Sequence, residues 1–247
     1  MGQIFSNYVH ACMNFWKQNH SSFAGVTNQP PYNPSNPGPG FEVAVFNDPA
    51  NGNTIGGFNG GNEQSEGLVV LGFNPSGAKL GTSASTLISG TLGTSSAFYE
   101  YDPFVNIDPY TKAVQRFAID CGYSNNYYKL DAFGIIEKTQ DILEKKINNN
   151  PSHYDPVFEL PKSAIVQLKP KVVVFANAGL RRLIIEKLFF NKFINCKWNT
   201  NKCAYDITLT DCNGNTHTCY GVFTTMLSGH PIDNGSREII VQVIKNL

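Results

Sequence analysis

The chain has 247 residues, of which 41% are hydrophobic, 12% aromatic and only 15% charged, enough apolar content for one large domain or two small ones. No run approaches the roughly 18 apolar residues of a membrane span, and the N-terminus lacks the charged start and apolar stretch of a secretory signal, so an intracellular protein, cytoplasmic or nuclear, is expected. The net charge of zero is unevenly spread: residues 1–159 carry 8 Lys+Arg against 14 Asp+Glu, a net −6, and residues 160–247 carry 11 against 5, a net +6. A basic C-terminal part suits a phosphate-rich partner through counterion release, although an ordinary solvated surface accounts for it as well.

In chain order, Ile4, Tyr8, Val9, Cys12, Met13 and Phe15–Trp16 are spaced for a short amphipathic helix. From Gln29 to Gly67 the composition turns to Asn, Pro and Gly, which bury little apolar surface for the entropy lost on ordering. Within that stretch only FEVAVF, Phe41–Phe46, alternates as a strand should. We therefore separate an N-terminal extension, 1–66, from a regular domain, 67–247.

That domain begins with LVVLGF, Leu68–Phe73, a short apolar run of the kind buried on both faces of a parallel sheet. A Ser/Thr/Gly-rich loop follows to about Ser96. Asp108-Pro109 starts a helix, with Asp as N-cap and Gly122 as terminator, and Val114, Phe117, Ala118 and Cys121 share one face. Tyr127–Ile136 reads as a strand running into a turn, and Thr139 caps a polar helix ending near Asn148–Asn150. Pro161–Leu168 is expected as a short helix, Lys171–Asn177 as the clearest buried strand, and Gly179–Phe190 as a helix. Ala204–Thr210 and His217–Phe223 flank Asp211-Cys-Asn-Gly, a hairpin signal, and the second strand runs on to Leu227. The loop SGHPIDNGSR then leads to a last helix, Ser236–Leu247. Alternating strands and helices predict an α/β fold: a three-layer α/β/α arrangement with a central, mostly parallel four-stranded sheet and an added β-hairpin near 203–223.

Six cysteines are present, and Cys196, Cys203, Cys212 and Cys219 fall within 24 residues, separated by six, eight and six positions. No C-x2-C knuckle occurs, so free, partly buried thiols are expected rather than a metal site.

Ligands of parallel α/β sheets bind beyond the carboxyl ends of the strands, which directs attention to the loops 72–77, 131–136, 176–179 and 228–236. Gly72-Phe73-Asn74-Pro75-Ser76-Gly77 sets an amide side chain among small residues directly after a buried strand, although Asn-Pro and Ser-Gly are also generic turn pairs. In the last loop His230 can donate a hydrogen bond to a developing anion, or equally satisfy loop carbonyls.

An apolar strand ending in G-[hydrophobic]-N-P-[small]-G, with H-P-[hydrophobic] after the last strand, resembles the uracil-DNA glycosylase superfamily. The likeness is nearest to its mismatch-specific and single-strand-selective branches, and to a related uncharacterised family with an N-P-S first motif. It covers about residues 67–247 and implies base excision, with a flipped base and cleavage of its N-glycosidic bond, and DNA, single- or double-stranded, as partner. Asn74 matches the residue that positions the attacking water, and His230 the histidine that stabilises the departing base. The resemblance further implies that Ser76, Gly77, Ser228 and Gly229 let backbone amides approach phosphates; Gly72 and Pro75 are counted with the substrate-binding residues, and Pro75 biases Asn74 towards an extended backbone. Ile232 stands near the wedge position and Arg237 is placed to meet phosphate. Phe73, Phe98, Tyr99, Tyr101 and Phe133 are candidates for stacking on a base, beside their commoner fate as core residues. No cofactor and no metal are expected.

This chain departs from the family pattern twice. Where the family often has a base-reading Asn, the match here is Asp131, whose carboxylate only accepts hydrogen bonds and so suits an exocyclic amine or ring N–H. The second motif reads H-P-I-D-N-G-S-R rather than H-P-S. Two other readings stand beside the glycosylase: a catalytically inactive nucleic-acid or nucleotide-binding module, and a hydrolase of free nucleosides or nucleotides. Met1-Gly-Gln-Ile-Phe-Ser6 also fits the N-myristoylation pattern at Gly2, which on its own gives marginal membrane attachment.

Overall fold

A computed structural model describes residues 3–19, 41–44, 65–73, 85–87, 98–101, 109–124, 126–135, 140–186, 194–225, 227 and 233–247. The expected N-cap Asp108, the cap Thr139 and Gly2 lie outside the described residues.

The main sheet has six strands: β2 (Leu68–Gly72), β5 (Tyr127–Asp131), β6 (Val172–Ala176), β7 (Ile194–Asn199), β8 (Ala204–Thr210) and β9 (Thr216–Thr224), in the order β5-β2-β6-β9-β8-β7. β5, β2, β6 and β9 run parallel, while β8 and β7 continue antiparallel. The expectation of four strands with an appended hairpin is corrected to one six-stranded, mostly parallel α/β sheet. The hairpin is part of it because its second strand, β9, is itself the fourth parallel strand. The extra strand, β7, left no sequence signal: it is a sheet edge whose Asn195, Lys197 and Trp198 are exposed, so it shows no apolar run.

Successive residues of the parallel strands enter different cores. Val69, Leu71, Tyr128, Leu130, Val173 and Phe175 join one apolar cluster, and Leu68, Val70, Tyr127, Val172, Val174 and Ala176 the other. The first cluster takes in Tyr8 and Cys12 of α1 (Gln3–Asn19) together with residues of α3 (Gln140–Asn149), α4 (Pro151–Leu168) and α5 (Ala178–Arg181). The second receives α2 (Pro109–Asp120) and α6 (Asn234–Lys245). Helices thus pack on both faces, which is why LVVL and VVVF read as continuous apolar runs. α1 buries Tyr8 and Cys12 in the same core as the strands, so residues of the extension are part of that packing.

Gly122 stops α2 as its sequence suggests: at φ +92 its N–H bonds Ile119 O at 2.9 Å while Tyr123 N–H reaches Ala118 O at 2.9 Å. α4 corrects the expectation of a helix confined to 161–168. It starts at Pro151 and contains Pro156 and Pro161. An interior proline costs about 3 kcal/mol, but Tyr154, Val157, Phe158, Pro161, Ala164, Ile165 and Leu168 form a buried stripe at three- and four-residue steps that outweighs it. Of the expected helix 179–190, the described part is a single α-turn, Ala178–Arg181, that passes into a π-turn, Arg182–Glu186, and 187–190 lie outside the described residues. β5 ends at Asp131 and a bend follows at Ala132, as expected of a strand running into a turn, while β9 ends at Thr224, short of the expected 227.

The hairpin turn is held by Asp211, whose Oδ1 accepts from Asn213 N and Asn215 N, both at 2.9 Å, with Gly214 at φ +80. Its tip docks on α4, where Glu159 accepts from Cys212 N at 2.7 Å and pairs with the buried Lys162.

A second, three-stranded sheet has the order β1-β4-β3, from Phe41–Ala44, Phe98–Tyr101 and Ser85–Leu87. β1 covers the first four residues of the expected strand, 45–46 lie outside the described residues, and β3 lies in the stretch read as loop.

Candidate functional site

All four parallel strands end at one edge of the main sheet. The chain leaves β2 for β5 on one side and later enters β6 on the other, so the strand order reverses between β2 and β6. Ligands of open parallel sheets bind at such a reversal. The two motif-bearing segments follow β2 and β9, and those strands are separated only by β6. Two strand spacings put their ends about 9.5 Å apart.

Gly72 is the last residue of β2 and lies in register with Asp131, the last residue of β5. Ala132 N–H bonds Gly72 O at 2.9 Å and Phe133 N–H bonds Phe73 O at 3.0 Å, which continues the pairing past the strand ends. Of the sequence-derived site, Gly72, Phe73, Asp131 and Phe133 are therefore brought together. Phe73 and Phe133 pack ring to ring, 5.5 Å between centroids, and Phe133 also meets Tyr154 and Phe158 at 6.3 and 6.2 Å. Both rings are buried in the first core, the commoner of the two fates weighed for them. Phe98, Tyr99 and Tyr101 fall in β4 of the second sheet, and their side chains lie outside what is described. Asn74, Pro75, Ser76, Gly77, Ser228, Gly229, His230 and Ile232 lie outside the described residues.

Asp131 is buried and forms an ion pair with Lys129, two residues earlier on the same strand and the same face. Its charge also reaches α1: the Tyr8 phenol is held well above its ordinary range by burial first, then by Cys12 and by the Asp131 carboxylate. A carboxylate so placed accepts hydrogen bonds and repels anions, while the Lys129 ammonium at its side offsets the charge. Lys129 was not singled out from the sequence, although K-x-D inside an otherwise apolar strand places both side chains on one face.

Arg237 stands in the first turn of α6, where its guanidinium pairs with Asp120 at the end of α2 and lies 5.8 Å from the centre of the Phe117 ring. That turn is capped by Asp233, which accepts from Ser236 N at 2.9 Å and Ser236 Oγ at 2.6 Å. The helix therefore starts at Asn234, two residues before the expected Ser236, because Asp233 is a favoured N-cap residue.

At the end of β6 stands Asn177, which sequence reading passed over although an Asn after VVVFA is a helix-start signal. Its Oδ1 accepts from Gly179 N at 2.7 Å and from Gln140 Nε2 at 2.7 Å, and its Nδ2 donates to Gln140 Oε1 at 2.8 Å. Four residues further along α3, Glu144 receives Arg182 Nε at 2.9 Å and Nη2 at 2.5 Å. These two pairs fasten α5 to α3 beside the β6 end.

At the end of β9, Thr224 is buried and its Oγ1 has no hydrogen-bond partner among the described residues. The six cysteines are free, with Cys12, Cys121 and Cys219 buried, and no group of His, Cys, Asp and Glu among the described residues is arranged to hold a metal. No helix among them is long and apolar enough to cross a membrane. Comparison with models of known protein families and with curated proteins finds no match to this chain.

Proposed function

We propose that the chain is a DNA glycosylase-like hydrolase that cleaves the N-glycosidic bond of a uracil-type or deaminated base, built on a three-layer α/β/α fold of uracil-DNA-glycosylase type. The observation that carries this reading is the parallel run of β2 and β9 in one sheet. Because of it, β2, whose last residue opens the motif Gly72–Gly77, and β9, which precedes the motif Ser228–Arg237 in the sequence, end at the same carboxyl edge as β5 with its terminal Asp131.

In this reading Asn74 orients the attacking water and His230 donates to the base as negative charge develops on it. The reaction passes through an oxocarbenium-like sugar and an anionic leaving group, so oriented dipoles accomplish more than a strong base would. Asp131, accepting only, selects bases that offer an exocyclic amine or a ring N–H. Lys129 holds that carboxylate in place and offsets its charge against the departing anion.

The test is base release from single- and double-stranded oligonucleotides carrying uracil, hypoxanthine, xanthine or mismatches. Asn74→Ala and His230→Ala are each expected to lower release by about 10² or more, the usual effect of losing one oriented catalytic group. Full activity in both variants refutes the site. A folded wild-type chain that binds DNA in a salt-dependent way and releases nothing refutes the enzyme and leaves a binding module of the same fold.

A further inference from the structure

The outer face of α6 and the turn between β7 and β8 border a cleft of about 520 Å³, within the roughly 300–1,000 Å³ of ordinary ligand sites. One wall is a helical stripe, Gly235, Glu238, Ile239, Gln242, Val243 and Asn246, recurring at steps of three and four residues. It is distinct from the stripe of α6 that enters the second core through Val241 and Ile244. Ile239 is 66% exposed, the most of any large hydrophobic residue among those described. An isolated exposed Ile is ordinary, but this one lines a cleft.

The opposite wall is preformed. Lys202 N donates to Asn199 O and to Asn199 Oδ1, both at 3.2 Å, and Asn199 Nδ2 donates to Asp206 Oδ2 at 3.0 Å. Cys203 follows in the left-handed region at φ +50, and the Lys202 ammonium lies 5.8 Å from the centre of the Tyr220 ring. Lys202 and Cys203 thus line the cleft from a braced turn.

Shape and charge select the occupant. From Gly235 to Asn246 the helical wall runs about 16 Å, at 1.5 Å per residue. Spread over that length, the volume averages roughly 30 Å² in section, well under that of a helix about 10–12 Å across. The same length suits about five residues of extended chain. Lys202 and Glu238 are the charged residues lining the cleft, one of each sign, so it holds no net positive charge for a polyphosphate. The Gln242 and Asn246 amides offer the donors and acceptors that peptide groups require, and Ile239 and Val243 offer apolar contact.

We propose that this cleft docks an extended segment of a partner polypeptide, with an aliphatic side chain seated on Ile239 and Val243 and a neighbouring carboxylate meeting Lys202. The proposal stands on α6 and the β7–β8 turn alone and is independent of the glycosylase reading.

The experiment titrates short acetylated peptides, with a central Leu followed by Asp, Ala or Lys, onto the full chain. Affinity is measured by calorimetry, and alkylation of Cys203 by a maleimide is followed beside that of Cys212, which is also exposed and lies outside the cleft. The Leu-Asp peptide should bind most tightly and slow alkylation of Cys203 but not of Cys212. Ile239→Ser, a change at an exposed position, should weaken that binding about tenfold, the effect of losing the burial of one aliphatic side chain. Lys202→Glu should reverse the order, so that the Leu-Lys peptide binds more tightly than Leu-Asp, an exchange that damage to the fold would not produce. Equal binding by wild type and Ile239→Ser overturns the proposal, as does a failure of every peptide to protect Cys203. A single-stranded oligonucleotide that protects Cys203 where the peptides do not also overturns it and reassigns the cleft to nucleic acid.

Discussion

Lys129→Met is the perturbation whose cost the structure sets most directly. The substitution keeps an unbranched side chain on β5 but leaves the Asp131 carboxylate, 8% exposed, without the ammonium that faces it. Breaking a buried pair from one side costs about 3–5 kcal/mol, because the remaining charge stays desolvated. The lower half of that range applies here, since β5 is an edge strand and both groups sit near its end. For a chain of this size about 3 kcal/mol corresponds to a drop in melting temperature of roughly 6–12 °C. Urea unfolding of wild type, Lys129→Met, Asp131→Asn and the double variant gives the coupling. The double variant should lose less than the sum of the singles, because it removes the pair and strands no charge. A Lys129→Met loss below about 1 kcal/mol, or strict additivity of the two singles, would refute the claim that the pair is buried and mutually dependent.

Three other outcomes follow from the described contacts. Asn177→Ala should destabilise by about 1–2 kcal/mol in urea unfolding, because the cap on Gly179 N is lost and the Gln140 amide loses both of its bonds. For Asp211, burial alone would raise the pKa, but bonds from the Asn215 side chain and from the Asn215 and Asn213 amides, with the Lys162 charge, bring it below the ordinary value. Its contribution to stability is therefore present above a carboxylate's usual pKa near 4 and is lost as pH falls through the lowered native value. Asp211→Asn should flatten the acid side of the stability–pH curve, and an unchanged curve would contradict the network. Thiol titration of the folded chain should show Cys203 and Cys212 reacting first, since both are exposed. Burial pushes Cys121, Cys196 and Cys219 to about 12 and Cys12 higher still, so these four should become fully reactive only on unfolding.

The elements legible in the sequence are those whose signal is local. Runs such as Leu68–Leu71 and Val172–Phe175 are apolar at every position because both faces are covered, and Gly122 and Asp211-Cys-Asn-Gly specify their turns through backbone preference alone. Gly72 and Asn177 stand at the ends of those runs, so the edge on which a site would lie is legible in the sequence. Tertiary packing decided the remainder. α4 runs through Pro156 and Pro161 because its buried stripe outweighs two local penalties, a balance that exists only once α1 and the sheet are beside it. β7 is a strand because β8 pairs with it, although its exposed residues show no pattern of their own. Register, which no single segment encodes, aligned Asp131 with Gly72 and Ala176 with Thr224, and packing set Lys129 against Asp131. The physical reason is the range of the forces: turn and burial preferences act within a few residues, whereas strand pairing and ion pairing depend on which distant segments meet.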